Sequence, residues 1–79
     1  MTDYSNYPTM TLNEMADVFR ANPVEATETK LARMITEGVF PFAVGIEPRV
    51  SHEHRVLLIS REGCYKWLGE FLQREVVRV

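Results

Sequence analysis

Two short stretches hold the side chains whose types and spacing suit chemistry. One is ETKLARMIT, which carries Thr29, Lys30 and Arg33; the other is PRVSHEHR, which carries Arg49, Ser51, His52, His54 and Arg55. An arginine guanidinium is a rigid two-pronged donor that fits O6 and N7 of guanine, so Arg33 on an exposed helical face could read a base edge. Arg49 and Arg55 can neutralise phosphates, and arginine also suits a narrow minor groove. His52 and His54 flank Glu53 at alternating positions, which is how two strand residues converge on a metal. No third strong ligand lies nearby, so they read as surface histidines and no metal site is expected. Cys64 is the one cysteine. It lies on an apolar stripe and reads as a buried thiol, with no internal disulfide open to it. Ser51 and Ser60 suit a turn and a helix cap better than a nucleophile's role. No pair of acids has a spacing that argues for general acid and base work. The expectation is a protein that is not an enzyme and has no cofactor.

The chain has 79 residues, enough for one domain. A domain of that size buries only about 60% of its unfolded surface, so its core is thin and a deep catalytic cleft is not expected. The apolar share of 46% and the charged share of 25% are ordinary for a globular domain. No apolar run approaches a membrane span or a signal-peptide core, so the expectation is a cytoplasmic protein without a membrane partner. Net charge is -2 and unevenly spread. Residues 1–47 hold three bases against seven acids, net -4, and residues 48–79 hold six bases against four acids, net +2. A polyanion would be drawn, weakly, only to the second half or to bases gathered on one face.

The elements that must position these side chains follow from local signals. Residues 1–10, MTDYSNYPTM, lack periodicity and read as a loose arm. Thr11 and Glu14 form a capping box, and Leu12, Met15, Ala16 and Phe19 share a face, which predicts a helix from Leu12 to about Arg20. Pro23 ends it. A second helix starts either at Pro23, capped by Asn22, or later, capped by Thr27. It turns Leu31, Met34 and Ile35 to one side, and Thr29, Arg33 and Thr36 to the other. Gly38 stops it, and Pro41 sets the chain extended. Phe42 to Ile46 favours a strand, EPRVSHEH a reversal, and Arg55 to Ile59 a returning strand. Ser60 caps a last helix with Cys64, Trp67, Leu68 and Phe71 at helical spacing. The VVRV tail, residues 76–79, reads as a short strand or a partner contact. The expected core is Leu12, Ala16, Phe19, Leu31, Met34, Ile35, Phe42, Val56, Trp67, Leu68 and Phe71. Val56 is included on the premise that Arg55 faces outward and side chains alternate.

Taken together, TLNEMADVF, TETKLARMITEGVFPFAVG and HRVLLISREGCYKWL resemble the excisionase-like winged-helix DNA-binding domains, small relatives of the MerR-type N-terminal domain found in prophages and mobile elements. The resemblance spans roughly residues 10–72. Leu12 and Ala16 match the opening pattern of the first helix, and Gly38, Val39, Phe40 and Pro41 match the step out of the second. Arg55, Ser60, Trp67 and Leu68 match the returning strand and last helix. The resemblance implies an α+β fold: a small winged helix-turn-helix with three main helices and a two-stranded antiparallel wing, over residues 11–75. It implies sequence-specific binding of double-stranded DNA, with the second helix in the major groove and the wing on the flanking backbone or minor groove. The DNA contacts implied are Thr29, Lys30, Arg33, Arg49, Ser51, His52 and Arg55. The implied role is architectural or regulatory, in prophage excision or phage transcription, with a phage integrase or recombinase as partner and cooperative self-association on DNA. Two departures stand out: the connection ANPVEATE is acidic, and the returning strand keeps only Arg55 of the usual basic cluster. A protein-interaction module that reuses the fold is the alternative.

Overall fold

The structure, a computed structural model, describes residues 7–46 and 56–78. Its elements in chain order are β1 (Thr9–Met10), α1 (Leu12–Ala21), α2 (Glu28–Thr36), β2 (Ala43–Ile46), β3 (Val56–Ser60) and α3 (Arg61–Leu72). The three strands form one antiparallel sheet in the order β1-β3-β2. Three helices with this small open sheet make a winged helix-turn-helix architecture, the α+β arrangement that the sequence predicts.

Local chemistry sets most boundaries. The Thr11 backbone N–H donates to Glu14 Oε1 at 2.9 Å, and the Glu14 N–H donates to Thr11 Oγ1 at 3.1 Å, which completes the capping box. Thr27, not Asn22, caps α2, accepting from the Lys30 N–H at 3.2 Å. That leaves residues 22–27 to connect the two helices. At the far end of α2, Gly38 takes φ 77°, a left-handed conformation that glycine adopts without a Cβ penalty. Its N–H bonds Ile35 O, and the Val39 N–H bonds Met34 O at 3.0 Å, so the last carbonyls of the helix are satisfied as the chain turns toward β2. Ser60 ends β3 and caps α3 through the Gly63 N–H at 3.1 Å.

The core sits between the inner sheet face and the helices. Met15, Ala16, Val18 and Phe19 of α1, Leu31 and Ile35 of α2, and Cys64, Tyr65 and Leu68 of α3 meet Phe40, Ala43, Ile59 and Met10. Expected core members Ala16, Phe19, Leu31, Ile35 and Leu68 are buried, whereas Leu12, Met34, Phe42 and Trp67 are half-buried at its margin. Trp67 stacks on Phe71 at 5.1 Å and meets the Phe40 edge at 5.0 Å, so it joins the core to an aromatic surface row.

Two core expectations are corrected. Val56 points outward, because Ile59 takes the inward position on β3 and fixes the alternation for the whole strand. Phe71 is exposed: the buried row of α3 runs Arg61, Cys64, Tyr65 and Leu68, and places Phe71 beyond its edge. The segment expected as a loose arm also contributes Thr9 and Met10 to the sheet, opposite Ser60 and Ile59, as a third strand beside the expected two.

Candidate nucleic-acid interface

The helix α2 carries three of the seven candidate contacts. Leu31, Ala32 and Ile35 anchor its inner face in the core. The helical repeat therefore turns Thr29, Lys30 and Arg33 outward, and all three are exposed. Thr29 and Arg33 are one turn apart and Lys30 lies three residues before Arg33, so the three side chains share one patch. Thr36 does not belong to it. It is half-buried, its hydroxyl donates to Arg33 O at 3.0 Å, and it lies over Gly45 of β2.

That contact ties α2 to the sheet. A Cβ on Gly45 would come within 2.5 Å of Leu57 Cδ2, 3.1 Å of Ile35 Cγ2 and 3.3 Å of Thr36 Cγ2. Glycine lets the C-terminal end of α2 settle on β2, and so fixes the helix relative to the hairpin.

Acids temper the basic patch. Arg33 Nε lies 3.4 Å from Glu37 Oε2, in an exposed pair. Such pairs contribute roughly 0–1 kcal/mol and yield readily to a competing anion. Glu28 begins the helix and accepts a 3.4 Å hydrogen bond from Asn13 Nδ2 of α1, so an acid marks the seam between the two helices. Glu25 precedes it in the connection. Acids there favour the helix dipole and repel phosphate.

Arg49, Ser51, His52 and Arg55 lie outside the described residues. They belong to residues 47–55, which join Ile46 of β2 to Val56 of β3, the last pair in register.

Three features escaped the sequence reading. Arg61 is only 5% exposed. Its Nε donates to Tyr7 O at 2.8 Å, and its Nη2 donates to Thr9 O at 3.1 Å and to Glu14 Oε2 at 2.8 Å. It thereby clamps β1 to α1 and α3. Hydrogen bonding to Glu14 raises the Arg61 pKa against the opposing effect of burial. Burial pushes the Glu14 carboxyl up, but the hydrogen bonds from Thr11 and Arg61 outweigh it and hold the carboxyl below its ordinary value. Asn22, 1% exposed, is the second feature: its Nδ2 donates to Val18 O and Val77 O, and its Oδ1 accepts from the Val77 N–H at 2.7 Å. The tail is thus docked on the end of α1. The third is the outer sheet face, which is aliphatic. A signal for it lies in AVGI and VLLI, where apolar residues occupy both parities of each strand.

Cys64 is fully buried, and desolvation raises its thiol pKa to about 11, so it stays a protonated core residue. Among the described residues no group of three His, Cys, Asp or Glu side chains could hold a metal ion, and no helix is long and apolar enough to cross a membrane. Compared with family models, curated proteins and solved structures, the chain gives no match in any of the three, so the winged helix-turn-helix architecture rests on the geometry above.

Proposed function

We propose that the chain is a sequence-specific DNA-binding protein, an excisionase-like architectural factor or prophage transcriptional regulator. The carrying observation is that α2 is anchored on one face by Leu31, Ala32 and Ile35 and offers Thr29, Lys30 and Arg33 together on the other. In this reading α2 enters the major groove, where the second helix of a helix-turn-helix reads bases. Arg33 exchanges Glu37 for a base edge, and Lys30 and Thr29 supply backbone or base contacts. The segment that joins β2 to β3 supplies Arg49, Ser51, His52 and Arg55 as contacts to the flanking backbone or minor groove in the same reading. A single small module binds weakly, and neighbouring copies on the DNA or a phage integrase or recombinase raise its occupancy. The protein works without catalysis, in the cytoplasm.

A second reading, a protein-interaction module with weakened or lost DNA binding, is favoured by the charge around α2. Glu25, Glu28 and Glu37 there outnumber Lys30 and Arg33. Selection from a random duplex library, followed by titration of the enriched duplex against a scrambled one, separates the two. The DNA-binding reading expects enrichment of one motif and tighter binding to it. Failure to enrich any duplex, with a candidate recombinase added in a parallel arm, favours the interaction module.

A further inference from the structure

The sheet has a second face that the helices leave uncovered. Side chains alternate along a strand, so the neighbours of inward-facing Ala43, Leu57 and Ile59 point away from the core. Val44 and Ile46 of β2 are both 63% exposed, and Val56 and Leu58 of β3 are 56% and 59% exposed. The register sets Val44 opposite Leu58 and Ile46 opposite Val56. The four therefore form one continuous aliphatic block rather than scattered surface residues. Thr9 of β1, paired with Ser60 of β3, extends it with one small hydroxyl, since the Ser60 hydroxyl is taken up by the cap of α3. The described strand residues of this face include no charged side chain. Four aliphatic side chains at this exposure present roughly 400 Å² of apolar surface, within the size range of the largest patch on an ordinary monomer.

We propose that this face packs against the same face of a second copy of the chain, giving a two-fold dimer with the two sheets stacked. The absence of charge leaves nothing on the strands to pair with a polyanion or a charged peptide. Stacked sheets lie about 10 Å apart with strand directions within about 30°, an angle set by the twist of each sheet. A second copy brings an identical twist and an identical aliphatic block, and two-fold symmetry makes the contact self-complementary. The area sets the strength. Two such patches bury roughly 800 Å² in all, half of what a standard stable interface buries, so the dimer is weak and dissociates on dilution. The contact leaves α2 uncovered, because α2 packs on the opposite side of the sheet.

The test is sedimentation of the full chain over a range from about 5 µM to 1 mM, comparing wild type with the V44T/L58T double variant. Threonine is β-branched and suits a strand at both positions, and circular dichroism checks that the variant folds. Wild-type mass should climb from monomer toward dimer as concentration rises, and the variant's dissociation constant should increase at least about tenfold. If the variant does not fold, isotope-filtered methyl contacts between wild-type copies decide, with Val44, Ile46, Val56 and Leu58 expected among them. A wild type that remains monomeric throughout overturns the proposal; some other partner would then own this face. A dimer that V44T/L58T leaves equally tight, or intermolecular methyl contacts that exclude these four residues, also overturns it.

Discussion

The Arg33 side chain is 79% exposed although it pairs with Glu37, whereas that of Arg61 is 6% exposed and clamped by Glu14 and two carbonyls. The first costs little to redirect and the second cannot be moved without releasing β1. On the DNA-binding reading, Arg33→Ala should reduce the preference for the selected duplex over a mismatched one by about 1–3 kcal/mol, the worth of one bidentate base contact. Titration of both duplexes at fixed salt checks this, and an unchanged preference means that Arg33 reads no base. Glu14 lends itself to a test in pH. Its carboxyl is held below the ordinary value, so its ionised form stabilises the fold above the carboxylate range. That stability is lost as pH falls through the folded pKa. Glu14→Gln should therefore be less stable than wild type at neutral pH, and the gap should close as pH drops below the ordinary carboxylate value of 4.5. Urea unfolding at several pH values measures it. A gap that persists undiminished to about pH 2 would remove Glu14 from this role.

At the scale of elements, the docking of the tail depends on one side chain. Asn22 gives Val77 both an acceptor and a donor, as a neighbouring strand would, and its own carbonyl accepts from Arg74 Nη2. Arg78 lies 4.3 Å from the centre of the Tyr65 ring and 3.2 Å from Glu62, but these contacts are at the surface. Asn22→Ala should cost about 1–2 kcal/mol, since the freed Val77 groups can find water while the Val18 contact is lost. Amide exchange at Val77 should accelerate toward that of an open chain. Protection that survives the substitution would show that Val76 and Arg78 hold the tail without it. The contrast between Asn22 and the helix caps explains what the sequence made legible. Thr11 with Glu14, Gly38 and Ser60 act on backbone groups within a few residues, so residue type and spacing suffice to place them. Asn22 bonds a residue 55 positions away and Arg61 one 52 positions away, and no local pattern announces either. The facing of β3 was hidden for another reason: in VLLI either parity can be buried, and only packing on Ala43 and Met10 makes Ile59 the inward residue. The exposed positions of α2 were readable because its apolar residues have a single helical phase. The wing contacts remain a reading of the sequence, since residues 47–55 lie outside the described residues.

For the whole molecule, charge limits what any DNA complex can be. The chain carries -2 overall, with the deficit of bases in residues 1–47, the half that includes α2. Long-range attraction to DNA is therefore small, and affinity has to come from a few close contacts. If Lys30, Arg49 and Arg55 each neutralise one phosphate, the logarithm of the binding constant should fall with the logarithm of salt concentration with a slope of about -3. Proteins with a large basic footprint have much steeper slopes. Arg55→Ala should weaken binding to cognate and mismatched duplexes alike and make the slope shallower by about one unit, because a phosphate contact carries no sequence information. Arg33→Ala differs in kind: it lowers discrimination at constant salt, whatever it does to the slope. Titrations of wild type, Arg55→Ala and Arg33→Ala on both duplexes at several salt concentrations measure the two effects separately. A wild-type slope near zero would mean that no phosphate is engaged, and α2 would then be a face for protein partners in which Glu28 and Glu37 count as much as Lys30 and Arg33.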